Sequence, residues 1–429
     1  MGLFLGIDIG TSGVRAAVID EAGGSVATAR VALAAPNIVD GRPEQDATSW
    51  WSAVVDCLNA QAAALVARGR SMRDVEAVAV DGTSGTLVLV DADLRPVTAG
   101  LMYNAGGFDA EGAAIDRAAS ASSIARGGGS TLARLLVLQK RDGERRAVHA
   151  LHQADWVAAR LSGRGGRADE TNVLKLGYDL LGRQWPSWLE AAGVRTELLP
   201  DVVPVGTVLG ELDPAVANRF GLPASCLVRA GTTDSNAAFL AAGATEIGDA
   251  VTSLGTTLAI KLLSDRPVSD PSRGVYSHRI KSMWLAGGAS NTGGGALLAH
   301  FSREQLGRLA TQLDPDHPTG LDYYPLARPG ERFPVNDPAL DPRLTPRPPD
   351  DATFYQAMLE GIAAIERQGY AVLAELGCPP VRRVFTAGGG AGVAGWTVIR
   401  ERAMGVPLVE ALSDDAAVGA ARIAADLIG

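Results

Sequence analysis

Cysteine is nearly absent from this chain. Its 429 residues hold three, Cys57, Cys226 and Cys378, widely spaced and without a CxxC pair. That pattern excludes a disulfide framework and predicts buried, reduced thiols. Histidine is also sparse, with five scattered residues and no HxxxH or His/Asp cluster of metal-ligand type, which argues against a zinc centre. Aromatic residues make up only 5% while alanine and glycine are abundant, so small aliphatic side chains should pack the cores. No long apolar run and no basic leader precede the first strand, so neither a membrane span nor a targeting signal is expected, and a cytoplasmic protein is. Basic residues are outnumbered 39 to 48, a formal charge of −9. Such a surface does not attract nucleic acid or an anionic membrane, so neither is expected as a partner.

What the chain does have is length for two domains with real cores, and one motif twice. The first copy is Gly6-Ile7-Asp8-Ile9-Gly10-Thr11-Ser12-Gly13-Val14 and the second Thr252-Ser253-Leu254-Gly255-Thr256-Thr257-Leu258-Ala259-Ile260. Both read as strand, Gly-Thr tip, strand. Glycine at the bend lets backbone N–H groups approach an anion, and the hydroxyls add donors. Two such hairpins facing each other would clamp the phosphates of a nucleotide.

Periodicity supplies the frame. Leu3 to Asp8 and Val14 to Ile19 read as hairpin strands, and Thr48 to Arg68 as a helix opened by the cap-type Asp46, with Trp50 and Trp51 packing into a core. Val75 to Val80 and Leu87 to Asp91 are strands on either side of Asp81-Gly82-Thr83-Ser84-Gly85-Thr86. Asp109 to Ala121, Thr131 to Arg141 and Ala147 to Leu161 read as helices. Residues 162–225 carry few periodic signals. Leu227 to Ala230 is a strand, and a helix runs from Ser235 to Ala242. The Pro-rich stretch from Pro325 to Pro349 reads as an exposed loop. Phe354 to Leu376 is an amphipathic helix, Val384 to Thr386 a strand, and Ala416 to Ile428 a last, Ala-rich helix. Strands followed by helices, twice, suggest a duplicated α/β unit.

Asp8 ends an apolar strand two residues before Gly10. A carboxylate beside a bound phosphate needs an intervening cation, and Mg²⁺ is the ordinary one; an Asp that only caps its turn would look the same. Asp234 opens a helix directly after Gly231-Thr232-Thr233. In a cleft it would accept the proton of a hydroxyl that attacks phosphorus, whereas on the surface it would only steady the helix. The loop from Asp81 to Thr86 offers short hydroxyls near backbone, as a polyol requires, or is a plain Gly-rich hairpin. Gly388, Gly389 and Gly390 would let backbone lie against a base or ribose, although a lone glycine triplet also marks any strand-to-helix turn.

Together the segments GIDIGTSGVRAAVID, RPEQDATSWW, VDGTSGTLVLVD, DETNVLKLGYD, AGTTDSNAAFLAAG, TSLGTTLAIK and FTAGGGAGVAGWTVIRERAMGVP resemble the FGGY carbohydrate kinases over nearly the whole chain. The resemblance implies an α/β protein of two actin-like (ribonuclease H-like) ATPase domains with a cleft between them. It places a sugar-binding domain at residues 1–243, a nucleotide-binding domain at 244–411, and a terminal helix, 412–429, packed back on the first. It implies ATP and Mg²⁺ as cofactors and a small sugar as substrate, in a monomer or homodimer. Asp234 is then the catalytic base. Asp8 and Asp234 serve the metal, and Gly10, Thr11 and Ser12 the transferred phosphate. Gly255, Thr256 and Thr257 hold the ATP phosphates, and Gly388, Gly389 and Gly390 line the adenosine site. VDGTSGT followed by LMYN is similar to short ribulokinase-like and xylulokinase-like members of cyanobacteria and plants that act on D-ribulose. By that analogy Asp8, Thr83, Ser84, Tyr103, Asn104 and Asp234 meet the sugar.

Two departures stand out. Many members carry an acidic residue and an Arg in the loop that here reads Tyr103-Asn104-Ala105-Gly106-Gly107-Phe108-Asp109, and an Asn where Val393 stands. The leading expectation is phosphorylation of D-ribulose to D-ribulose 5-phosphate, with D-xylulose or another ketopentose or polyol as alternatives. A catalytically weak sugar-binding regulator is the reading from another class.

Overall fold

The computed structural model describes residues 2–428. The chain forms two compact units. One runs to Ala241 and takes in Arg279–Lys281 and the stretch from Asp415 onward; the other comprises Ala242–His278 and Ser282–Asp414.

Each unit is built on a six-stranded sheet, and five strands of each follow one order. In the first unit it is Ser25–Ala32, Gly13–Asp20, Leu3–Ile9, Val75–Gly82 and Leu227–Thr233. The first three are antiparallel, and the last two run parallel to Leu3–Ile9 and to each other. In the second unit Met283–Ser290, Leu258–Ser264, Asp249–Leu254, Arg383–Ala387 and Leu408–Glu410 repeat the pattern. The central strands of the first unit are mostly apolar and buried on both faces, which is why they read so plainly, whereas Asp249–Leu254 is buried with polar residues among the apolar ones.

In the first unit, helices cover both faces of the sheet. Ala47–Val66 opens as its sequence asks, with the Asp46 carboxylate accepting the Thr48 N–H at 2.9 Å. Trp50 is fully buried behind it, meeting Trp156 edge to face at 6.0 Å, while Trp51 is half-buried under Arg160. The Ala-rich helix Ala416–Ala424 packs on Leu3–Ile9 and on the helix Asp234–Ala241. Its approach is so close that Gly6 and Gly419 face backbone atoms where a side chain would stand. A second, five-stranded sheet in the same unit includes Arg42–Gln45, Gly100–Leu101, Leu87–Val90 and His149–His152.

The expected helix from Ala147 to Leu161 is corrected. His149–His152 is a strand paired with Leu87–Val90, and the helix begins only at Gln153. Four residues are too few for a period to declare itself, and the partner strand decides the conformation. The stretch 162–225 is more structured than its sequence suggested, with short strands at Arg167–Asp169, Asp201–Val203 and Val208–Glu211 and a helix at Pro214–Phe220. The three cysteines are free and buried. No helix among the described residues is long and apolar enough to cross a membrane.

Candidate active site

In the first unit, three neighbouring parallel strands end on one edge of the sheet with polar groups. In an open α/β sheet, that carboxyl edge is where ligands bind. Register sets Asp8 beside Asp81, and Asp81 beside Thr232. Thr233 ends the third strand, and Asp234 opens the next helix with its carboxylate accepting the Ser235 N–H at 2.6 Å.

Asp8 is 2% exposed and accepts from Arg15 at 2.8 Å, directly across the hairpin. Burial pushes its carboxyl up to about 6, against the pull of the Arg15 guanidinium. Asp81 is fully buried, and neither of its oxygens receives a hydrogen bond from the protein. Burial, with the charges of Asp8 and Asp234 added, holds it well above the carboxylate range. Two buried acids side by side ionise together only against mutual repulsion, and of the two it is the more deeply buried Asp81 that resists ionisation more. Asp81 was missed as a site residue in its own right. The signal was available: it ends an apolar strand just as Asp8 does.

The loop after Asp81 is a chain of hydroxyls. The Tyr103 N–H donates to Thr86 Oγ1 at 3.1 Å, Thr86 and Thr83 share a hydrogen bond at 2.6 Å, and Thr83 Oγ1 donates to Gln153 Oε1 at 2.9 Å. Tyr103 and Asn104 therefore adjoin Thr83 and Ser84, with Tyr103 and Asn104 exposed, Ser84 half-buried and Thr83 buried. The DETN segment closes the other side. Asp169 takes the N–H groups of Thr171 and Asn172 and their side chains, and Thr171 Oγ1 meets Thr232 Oγ1 at 2.8 Å.

The tip Gly10-Thr11-Ser12 is steadied from behind. Gln45 Nε2 donates to the Thr11 carbonyl at 3.3 Å and to the Ala34 carbonyl at 2.9 Å, and Gln45 Oε1 accepts the Trp50 indole N–H at 2.9 Å.

In the second unit, the carbonyls of Gly255 and Thr256 accept the N–H groups of Gly294 and Gly295, each at 2.9 Å. No hydrogen bond among the described residues uses the N–H groups of Thr256 or Thr257, and both residues are exposed. Gly388 has φ +86°, and a Cβ there would lie 2.9 Å from the Leu254 carbonyl oxygen; one on Gly390 would lie 2.5 Å from the Trp396 ring. Both glycines let the loop press against the strand that ends in the Gly255 tip, whereas Gly389 faces open space. A cavity of about 430 Å³ adjoins this loop, lined by Thr386, Ala391, Gly392, Thr397, Leu408 and Glu410 among others. Val393 caps the following helix through backbone alone.

The repeated frame carries unequal chemistry. Where the first hairpin has Asp8 opposite Arg15 and beside Asp81, the second has Ser253 opposite Ala259 and beside Ala387.

Comparison with known proteins also gives two domains along the chain, although the second family domain runs on through the last helix, which packs in the first unit. Residues 3–241 match the N-terminal domain of the FGGY family of carbohydrate kinases, and residues 250–426 match its C-terminal domain. The chain belongs to that family, and the reaction class is phosphoryl transfer to a sugar. It is 26% identical to the xylulose kinase of Escherichia coli K12 over 447 residues, 98% of this chain and 89% of that one. It is 27% identical to an autoinducer-2 kinase of Klebsiella pneumoniae over 464 residues, covering 98% and 85%. The crystal structure of a Brucella ovis enzyme described as a xyloylose kinase superposes with a TM-score of 0.86 at 25% identity, covering 98% of this chain and 90% of that one.

Proposed function

We propose that this protein transfers the γ-phosphoryl group of ATP to a hydroxyl of a linear ketopentose, D-ribulose first. The observation that carries the reading is the row of Asp8, Asp81 and Asp234 at the ends of three adjoining strands, beside a loop of hydroxyls suited to a polyol. Asp234 is the base. Its carboxylate accepts the hydroxyl proton as the new O–P bond forms, the bond from γ-phosphorus to its bridging oxygen breaks, and ADP leaves. Thr83, Ser84, Tyr103 and Asn104 hold the sugar. Gly10, Thr11 and Ser12 receive the transferred phosphoryl group. Gly255, Thr256 and Thr257 hold the ATP phosphates with N–H groups that the fold leaves unused. Gly388, Gly389 and Gly390, with the cavity beside them, take the adenosine.

Mg²⁺ fits the donors present. It is commonly held by one or two carboxylates, with water and phosphate oxygens completing the shell. Asp8 and Asp234 supply that number, and no group of three or more acidic, His or Cys side chains among the described residues is arranged to enclose a metal. Bound there, the ion would neutralise charge on the transferred phosphoryl group.

D-Xylulose is the second reading, favoured by the relatives named xylulose kinase. The test is ADP release from Mg-ATP with D-ribulose, D-xylulose, L-ribulose, ribitol, glycerol or no sugar. Release with one ketopentose is expected, and Asp234→Ala should lower turnover by about 10²–10⁴-fold with far less loss of sugar binding. Sugar-dependent turnover that survives in Asp234→Ala would overturn the base assignment. No sugar-dependent release would favour a sugar-binding regulator.

A further inference from the structure

Arg134 is a buried cation with no acidic partner among the described residues. It is 3% exposed and lies in the helix Thr131–Arg141, within the buried run Thr131-Leu132-Ala133-Arg134-Leu135-Leu136. All of its hydrogen bonds go to oxygens of uncharged groups. Nε donates to the Ala105 carbonyl at 3.0 Å, Nη2 to the Gly129 carbonyl at 2.9 Å and to the Tyr103 carbonyl, and Nη1 to the Gly85 carbonyl and Thr131 Oγ1, each at 3.4 Å. Gly85 has φ +97°, and a Cβ there would stand 2.7 Å from Thr131 Oγ1 and 3.3 Å from Arg134 Nη1, so the loop is shaped around this pair.

One planar fork thus gathers three loops: the hydroxyl loop at Gly85, the loop of Tyr103 to Phe108, and the turn at Gly129. Lysine has no such fork and would reach few of these carbonyls. The Tyr103 loop lacks an acid and an Arg of its own, and the structure supplies its grip from elsewhere. Arg42 bonds the Gly106 and Gly107 carbonyls and lies over the Phe108 ring at 4.6 Å, on the outer side. Burial lowers Arg134 to about 10, which leaves it charged at neutral pH.

We infer that Arg134 is a positioning residue for the sugar, fixing the Gly85 and Tyr103 loops in one geometry so that Thr83, Ser84, Tyr103 and Asn104 present their groups together. The inference rests on the sugar assignment made for those loops. Its role is in binding and not in the chemical step. Arg134→Lys keeps the charge and removes the fork, and Arg134→Met removes both.

The test compares steady-state kinetics and amide hydrogen exchange of the wild type with both variants of the full chain. Arg134→Lys should raise the sugar KM about tenfold or more, the scale set by leaving several buried carbonyls unpaired, with the ATP KM unchanged. Residues 83–86 and 103–108 should lose exchange protection together, while the strands Leu3–Ile9 and Asp249–Leu254 keep theirs. An unchanged sugar KM in an active, folded variant overturns the inference, as does faster exchange in only one of the two loops. If the wild type phosphorylates none of the sugars, the sugar assignment fails on its own, and the exchange data still decide whether the fork holds the loops.

Discussion

Position 419 should reject even alanine. The helix Ala416–Ala424 runs so near the helix Asp234–Ala241 that a Cβ on residue 419 would lie 1.8 Å from the Ala237 carbonyl oxygen and 2.5 Å from its carbon. Contacts under 3.0 Å are essentially never made by real Cβ atoms, so the helices would have to part by more than an ångström. The obstacle is backbone and cannot swing aside. The same helix is pinned from the sheet side, where a Cβ on Gly6 would meet the Ala417 carbonyl oxygen at 1.9 Å. Parting the helices loosens the small-residue cluster of Ala17, Ile19, Ala241, Ala417, Val418 and Ala421. Forcing a methyl group into a rigid core costs about 3 kcal/mol at the upper end, and alanine's better helix propensity offsets about 1 kcal/mol, leaving a net loss of about 2 kcal/mol. Urea denaturation followed by tryptophan fluorescence measures it, because Trp50, Trp51, Trp156, Trp185 and Trp188 all lie in the first unit. Gly307→Ala is the control: that glycine sits in the helix Arg303–Ala310 of the second unit with nothing within 4 Å of a new Cβ, and should gain up to about 1 kcal/mol, read from Trp284 and Trp396 of that unit. A Gly419→Ala protein with an unchanged or raised midpoint would refute the backbone-to-backbone seating of the last helix.

Three other outcomes follow from the packing. Arg400 and Glu366 form a bidentate pair at 2.7 Å, both at most 1% exposed, with Thr252 and Thr386 bonded to it; Arg400→Met alone should cost about 3–5 kcal/mol in denaturation, and adding Glu366→Leu should recover much of that. Burial pushes the Asp155 carboxyl up to about 7, so its contribution to stability is fully present below about pH 4 and is lost as pH rises through about 7. His152, lowered to about 4 by burial, slopes the opposite way, so the quantity to measure is the difference between wild type and Asp155→Asn, which should shrink the fall between those limits; parallel curves would contradict the assignment. Gln45→Ala strands the Trp50 indole N–H and frees the Thr11 carbonyl, and should cost about 1–3 kcal/mol with a raised KM for ATP; unaltered values of both would remove Gln45 from the tip.

Much of this was legible in the chain, and the physical reasons for what was not are specific. The first hairpin declared itself because its strands are largely apolar and closed by a Gly-Thr tip, and the second, more polar, declared itself by repeating that tip. Asp8 and Asp234 were visible as acids at strand ends. The partnership of Asp8 with Asp81 was not, because it depends on which distant strand slides in beside Leu3–Ile9 and in what register. The strand His149–His152 was hidden by its shortness. Arg134 carries no signal of its own within the helix Thr131–Arg141, and only its surroundings reveal a cation that faces carbonyls. Gln45 likewise stood next to a cap residue and drew no notice, although it joins a core tryptophan to the first tip.

The uneven filling of the repeated strand order has a consequence for engineering. The two units share one strand order and differ at three register-matched positions, Asp8, Arg15 and Asp81 against Ser253, Ala259 and Ala387. Buried charges constrain whatever is built around them, since each demands its counterpart, and hydroxyl and methyl groups make no such demand. The second half needs no such counterparts at these positions, whereas the first half is tied to the chemistry its acids allow. Transplanting the three residues into the second half asks whether the same strand order tolerates two carboxyls and a guanidinium where it now holds one hydroxyl and two methyl groups.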